Sequence, residues 1–234
     1  MQSNKSSWQV HLIGDHAVLL SLHEQISHET SEAVFHLNHY LQKQKLVFVK
    51  DLIPSYHTIV VVYDVLLIPD NIKYFFDTLI QQYCSMSKID EVTFKDSRII
   101  EIPVCYDLSF GIDLENIAVT KRIEIEQIIE THTKTSYDVY AIGFLPGFTY
   151  MGVVDASIQM PRHNTPRKKV LAGSVGIAGM QTGIYPIDSP GGWQIIGRTP
   201  IKMFSRDKLS FCNVGDVVRF KAIDLNTFNQ LNEW

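Results

Sequence analysis

Residues 143–200 read GFLPGFTYMGVVDASIQMPRHNTPRKKVLAGSVGIAGMQTGIYPIDSPGGWQIIGRTP. Ten of the chain's 13 glycines and six of its 9 prolines fall in this run, a density that alone would read as loop. Apolar and aromatic residues are interleaved with them: Phe144, Phe148, Tyr150, Val175, Ile177, Ile184, Tyr185, Trp193, Ile195 and Ile196. Glycine admits positive φ and close backbone approach, and proline fixes φ. The combination predicts short buried strands joined by tight, chemically specified turns.

On either side of this run the pattern is more conventional. Downstream, Val217–Ala222 reads as a strand after the turn Asn213–Asp216, with Ile201–Phe204 as a further candidate, and within the run Lys168–Ala178 and Gln194–Ile196 read as strands. Upstream, Tyr137–Phe144 reads as a strand, Arg98–Val104 as another, and Asp113–Ala118 and Ile123–His132 as short helices. No helical period is visible from Tyr137 onward, so this half is expected to be a β-barrel or sandwich with a small helical insert. Residues before Lys95 follow a different order. Gln9–Ile13 and Ala17–Leu22 flank a Gly14-Asp15 turn, and Ser27–Gln42 carries apolar residues at helical spacing. Leu46–Ile53 and Thr58–Tyr63 are strand-like, and Pro69-Asp70-Asn71 opens a helix with Ile72, Phe75, Phe76, Leu79, Ile80 and Tyr83 on one face. The order ββαββα predicts helices on one face of an antiparallel sheet. The chain is thus expected to be α+β, with a small domain over 1–95 and a β-barrel domain over 96–234, divided at the polar break Lys95-Asp96-Ser97.

Composition limits the function classes. A 234-residue chain that is 45% hydrophobic and 20% charged is an ordinary globular balance. Its net charge of −4 and lack of a basic stripe argue against nucleic acid. The apolar runs are too short to span a membrane, and residues 1–10 lack the order of a signal peptide. The scattered Cys84, Cys105 and Cys212 suit free thiols in a reducing cytoplasm. His36 and His39 sit three apart on the first predicted helix, but no Cys or acidic residue is placed to complete a metal site, and none is expected.

Within the long run, familiar motifs fail. Gly173-Ser174-Val175-Gly176 has Ala172 where a nucleophile elbow needs glycine, and no helix follows it. Gly173, Gly176 and Gly179 do not have dinucleotide-fingerprint spacing, and no G-x-x-x-x-G-K-[ST] phosphate loop exists. Pro161-Arg162 and Pro166-Arg167 are more informative. Prolines stiffen a segment bearing two guanidinium forks, which suit a carboxylate, although a solvated basic loop reads equally well. Trp193 is either a pocket wall or a core residue, and core is the commoner fate. His132 is either a general acid or base or a helix-end residue facing the C-terminal dipole, the commoner role.

The run resembles the KipI/PxpB family, also labelled allophanate hydrolase subunit 1. The residues that carry the resemblance are Gly143-Phe144-Leu145-Pro146-Gly147-Phe148, Pro161-Arg162, Pro166-Arg167, Ala172-Gly173-Ser174-Val175, Gln181-Thr182-Gly183-Ile184-Tyr185-Pro186, Ser189-Pro190-Gly191-Gly192-Trp193 and Ile196-Gly197-Arg198-Thr199-Pro200. Gly14-Asp15-His16-Ala17, Pro54-Ser55-Tyr56, Tyr63-Asp64 and Ile102-Pro103-Val104 extend it across the chain. The resemblance implies a cyclophilin-like second domain. It also implies one of two roles. One is the PxpB component of an ATP-dependent 5-oxoprolinase, working with PxpA-like and PxpC-like (KipA-like) subunits. The other is inhibitor of a sensor histidine kinase. ATP with Mg2+ would then serve the complex, without necessarily being held by this chain.

On the enzyme reading, Arg162, Arg167, Ser174, Gln181, Thr182 and Arg198 are the expected substrate contacts, and Phe148, Tyr150 and Trp193 the pocket wall. His132 is the candidate catalytic group. Two segments depart from the family pattern: Cys105–Leu114, where Ile112 replaces a proline, and Leu171, which replaces another before Ala172-Gly173. If the Cys105–Leu114 loop forms part of a pocket rim, this chain has an altered substrate preference or is inactive.

Overall fold

A computed structural model describes residues 8–22, 27–86 and 98–232. They fall into two compact units, Met1–Asp96 and Ser97–Trp234. The polar break expected at Lys95-Asp96-Ser97 itself lies outside the described residues.

The first unit is built from β1 (Trp8–Ile13), β2 (Ala17–Leu22), α1 (His28–Gln44), β3 (Val49–Ser55), β4 (Thr58–Tyr63) and α2 (Ile72–Ser85). The strands form an antiparallel sheet in the order β1-β2-β4-β3. In β4 the buried side chains alternate, because successive strand residues point to opposite faces. Ile59, Val61 and Tyr63 meet Leu37 and Leu41 of α1 and Phe76, Leu79 and Ile80 of α2 in one core. Both helices start on a side-chain cap. Ser27 Oγ accepts from Thr30 N–H, and Asn71 Oδ1 accepts from Tyr74 N–H. Each cap satisfies an amide that has no partner inside its helix.

The second unit is a closed barrel of seven strands, in the order β10-β7-β6-β13-β5-β12-β9. Its strands are β5 (Ile99–Cys105), β6 (Ser136–Ile142), β7 (Thr149–Gly152), β9 (Ser174–Ala178), β10 (Gln181–Ile184), β12 (Gln194–Arg198) and β13 (Val217–Ile223). Antiparallel pairing of β9 with β10 closes the ring, so no strand edge is left open. A separate ribbon pairs β8 (Arg167–Val170) with β11 (Ser189–Gly191). Helices α3 (Leu114–Lys121) and α4 (Ile125–Lys134) follow β5, and α5 (Leu225–Leu231) follows β13. Ile102, Val104, Val139, Met151, Val175, Ile177, Ile184 and Ile196 fill the barrel.

Three expectations fail here for local reasons. Lys168–Ala178 is not one strand: Gly173, at φ 84°, breaks it into β8 and β9. Ile201–Phe204 is not a strand either. It follows Pro200, and the Met203 carbonyl accepts from Phe211 N–H to close a loop instead of joining a ladder. Conversely, α5 exists where no helical period is visible. It is one short stretch with a single buried residue, Phe228, and Asp224 caps it through Thr227 N–H.

His132 lies at full burial between α4 and the barrel, stacked on Phe220 at 4.5 Å between ring centroids. Thr182 Oγ1 donates its proton to the Gly176 carbonyl, so toward His132 it can only accept. Nε2 of the imidazole is therefore the protonated nitrogen, donating to Thr182 over 2.9 Å, and Nδ1 accepts from the Tyr106 hydroxyl at 2.8 Å. This chain of bonds fixes a neutral ring, and burial drives its pKa down to about 3.

The packing around Gly183 can be tested by substitution. A Cβ there would sit 2.8 Å from the Thr149 carbonyl and 3.0 Å from Trp193, whereas nothing lies within 4 Å of one at Gly143. Gly183→Ala is expected to cost ~1–3 kcal/mol in denaturant unfolding, and Gly143→Ala less than about 0.5 kcal/mol. A second prediction concerns pH. The folded pKa of His132 is about 3, below the value of about 6.5 for an unfolded imidazole. Its contribution to stability is fully present above pH ~6.5 and is lost as pH falls toward ~3, because only the unfolded chain binds the proton there. His132→Gln should flatten the stability–pH curve between those limits, read by urea unfolding at a series of pH values.

Candidate functional site

The glycine-rich run folds into an aromatic cleft on the second unit. Phe148 stands at its centre, with ring centroids 4.6 Å from Tyr150, 5.1 Å from Tyr185 and 5.3 Å from Trp193. Such close packing needs residues without side chains beside it. A Cβ at Gly183 would press on Phe148 and Trp193, and one at Gly191 would land on the Tyr185 phenol. The cleft encloses about 300 Å³ and is lined by these rings together with Phe144, Arg162, His163, Pro166 and Gly192. Burial pushes the Tyr150 and Tyr185 phenols up, so both remain neutral hydrogen-bonding groups at pH 7. The Arg162 guanidinium lies 5.8 Å from the Trp193 ring centroid, an arrangement that holds a cation on an aromatic face.

Beneath the cleft is a buried carboxylate, Asp113, at the entry to α3. It does not cap the helix through its side chain. Its Oδ2 accepts from Ile195 N–H at 2.6 Å, and its backbone N–H donates to the Ile195 carbonyl. Its Oδ1 accepts from Arg167 Nη2 at 2.5 Å and lies 3.3 Å from His163 Nε2. Nε2 of His163 makes no aligned hydrogen bond to that carboxylate and has no hydrogen-bond partner among the described residues. A buried ring nitrogen of this kind calls for a ligand or a water. His163 is anchored by its own backbone, whose N–H donates to the Gly192 carbonyl at 2.7 Å.

A second, smaller cleft of about 90 Å³ opens nearby. Arg167, Lys169, Ser174 and Arg198 line it, with Ser109, Phe110, Ile112 and Leu171 on its rim. Ile112 and Leu171, the two single-residue departures from the family pattern, therefore meet at one place.

The residues singled out from the sequence are thus distributed over three places. Phe148, Tyr150, Trp193 and Arg162 line the aromatic cleft, and Trp193 is both wall and nearly buried core. Arg167, Ser174 and Arg198 line the second cleft. His132 and Thr182 are inside the barrel, bonded to each other, and line neither cleft; Gln181 lies on β10 paired with β7 and β9, also outside both linings. His132 does lie in the last turn of α4, as the helix-end reading has it, but it is buried there and is not placed beside the candidate ligand space. Asp113, His163 and Tyr185 belong to the site without having been singled out from the sequence. His163 follows Arg162 directly, a signal that was present, whereas Asp113 is joined to it only by the fold. Among the described residues no group of three or more His, Cys, Asp or Glu is assembled, so His36 and His39 gain no third ligand. No helix is long and apolar enough to cross a membrane among the described residues.

Comparison with known proteins places this geometry. The family profile described as "Carboxyltransferase domain, subdomain C and D" matches residues 8–213. The B subunit of 5-oxoprolinase from Bacillus subtilis (strain 168) is 35% identical over 233 residues, which cover 97% of each chain. The B subunit of 5-oxoprolinase from Escherichia coli O157:H7 is 36% identical over 215 residues, covering 90% of this chain and 94% of that one. The crystal structure of the protein TTHA0988 superimposes with a TM-score of 0.75 at 30% identity, covering 89% of this chain but 40% of that longer one. The chain belongs to the carboxyltransferase-domain family of subdomains C and D, and within it to the KipI/PxpB group that includes the B subunits of 5-oxoprolinase.

Proposed function

We propose that this chain is the PxpB-type subunit of an ATP-dependent complex that opens 5-oxo-L-proline to L-glutamate, and that the aromatic cleft receives the lactam. The observation that carries the proposal is the pairing of ring-sized aromatic walls with Arg162 and an unpartnered His163 Nε2 held against Asp113. A five-membered lactam has two flat faces and one carboxylate. Phe148, Tyr150, Tyr185 and Trp193 bury its faces, and Arg162 pairs with its carboxylate while stacked on Trp193.

Ring opening breaks the amide C–N bond, adds the oxygen of water to the carbonyl carbon and returns a proton to the nitrogen. The Asp113 carboxylate beside Nε2 favours the imidazolium that forms when His163 takes the proton from the attacking water, and His163 then passes that proton to the departing nitrogen. The lactam is stable, so the reaction needs ATP to activate its carbonyl. The sequence has no phosphate loop to hold a whole nucleotide. The nucleoside and Mg2+ are placed on the PxpA-like and PxpC-like subunits, which leaves only a phosphoryl group to reach this chain. On this reading the cleft is completed by a partner, and the exposed Phe144 at its mouth is a natural contact for one. Inhibition of a sensor histidine kinase would need an exposed apolar face; the concave, Arg- and His-bearing cleft favours a small ligand instead.

The test is ATP-dependent release of glutamate from 5-oxoproline by the assembled complex. Arg162→Ala is expected to raise KM for 5-oxoproline by roughly 10- to 100-fold, the loss of a charge-assisted bond, with kcat changed less. His163→Ala is expected to lower kcat by about 10²- to 10⁴-fold with a small effect on KM. Activity indistinguishable from the parent in both variants would contradict the assignment.

A further inference from the structure

The second cleft has a chemistry of its own. Its lining includes three cationic side chains, Arg167, Lys169 and Arg198, and no carboxylate. Two of the three are balanced by acids beneath or beside the cleft: Arg167 by Asp113, and Lys169 by Asp188 at 2.8 Å. Arg198 is different. Its Nε donates to the Ala172 carbonyl at 2.8 Å, and its guanidinium sits 5.7 Å from the Phe110 ring centroid and 5.8 Å from that of Phe228. Asp188 acts on it only through charge at longer range, and its terminal nitrogens have no protein acceptor among the described residues. The backbone bond and the two rings fix the plane of the fork, so little freedom remains to be lost on binding. Burial lowers the pKa of Arg198 from its ordinary value, yet an arginine remains charged at neutral pH.

Ser174 supplies a second, independent sign. It is 6% exposed, lines this cleft, and its hydroxyl has no hydrogen-bond partner among the described residues. Its oxygen is not sealed off among the buried unpartnered atoms but opens onto the cleft, where it is free to bond a ligand that enters. Ser109 is not counted as a donor, because its hydroxyl already donates to Asp107.

We propose that this cleft is an anion subsite for a phosphate-class tetrahedral oxyanion, held by the Arg198 fork and the Ser174 hydroxyl, with the acid-paired Lys169 and Arg167 at its wall. The donors come from β8, the start of β9 and the end of β12, so they approach from different elements. A tetrahedral oxyanion accepts along several directions, whereas a carboxylate accepts in one plane. The cleft volume of about 90 Å³ admits a phosphoryl group and excludes a nucleoside. The oxyanion therefore arrives either as inorganic phosphate or as the terminal phosphoryl group of a nucleotide whose remainder stays outside. The subsite stands apart from the ring-opening assignment, since it rests on different residues and predicts binding by the chain alone.

The experiment is titration of the full chain with inorganic phosphate and, separately, with ADP, read by calorimetry and by ³¹P line broadening. Saturable phosphate binding is expected, weakened about 10- to 100-fold in Arg198→Met and about 3- to 10-fold in Ser174→Ala. Arg198→Lys, which keeps the charge and loses the fork, should fall between the parent and Arg198→Met, and circular dichroism establishes that each variant is folded. Binding of ADP but not of phosphate, with the same Arg198 dependence, assigns the site to a nucleotide's terminal group. Binding of both assigns it to the phosphoryl chemistry they share. Three results would overturn the proposal: no saturable binding of either probe at millimolar concentration, binding unchanged in both Arg198→Met and Ser174→Ala, or binding lost instead in Arg162→Ala, which would place the anion in the aromatic cleft. None of these depends on glutamate release, so the subsite and the ring-opening reading fail separately.

Discussion

A buried carboxylate at position 113 is the constraint on which this unit's functional surface depends. Removing an ion from water costs several kcal/mol even after relaxation, and the cost must be met locally. Here it is met by a guanidinium from β8, an amide N–H from β12 and the nearby imidazole of His163. The partners come from residues 163, 167 and 195, all in the glycine-rich run, while Asp113 lies in the segment after β5. One charge therefore ties the helical insert to the strands that form both clefts. Its Oδ1 faces Arg167, which lines the smaller cleft, and His163, which lines the aromatic one.

The arrangement also explains why glycine is concentrated where it is. The aromatic cleft requires three large rings within about 6 Å of Phe148, backed directly by strand backbone. Gly183 and Gly191 leave room for Phe148, Trp193 and Tyr185 at points where any Cβ would collide. The same logic separates two kinds of polar residue. Thr182 and His132 use their hydrogen bonds on each other and on Tyr106 and Gly176, and so fix the barrel interior. Arg198 and Ser174 keep bonding capacity in reserve. A satisfied polar network specifies a core, whereas donors with spare capacity at a cleft remain open to solvent or a ligand.

Much of the fold was legible because its signals are local. The β-branched apolar run Thr58–Tyr63, the Pro69-Asp70-Asn71 helix start and the helical spacing of Ile72, Phe76, Leu79 and Tyr83 each act within a few residues. So the ββαββα order and the β-rich second half could be read directly, and motif resemblance identified the family. The strand breaks inside the glycine-rich run were not legible, since positive φ at Gly173 is decided by what packs around it. Nor was α5, whose single apolar anchor gives no period. For the site, the aromatic walls and Arg162 were accessible from residue type. Their division into two clefts was not, because Arg162 and Arg167 are five residues apart yet serve different spaces. Asp113 could not be found from spacing, since it meets Arg167 across 54 residues of chain. His132 does sit at its helix end, but its burial against Tyr137 and Phe220 is a matter of tertiary packing that no local pattern announces.

The measurement that tests the Asp113 joint most directly is a double-mutant cycle of unfolding free energies for Asp113→Asn and Arg167→Met. A buried, hydrogen-bonded ion pair predicts that each single change is strongly destabilising, by roughly 3–5 kcal/mol, because it strands the other charge. The double variant should recover part of that loss, giving a coupling energy of about 1–3 kcal/mol. Additive effects, with no coupling between the two positions, would contradict the account.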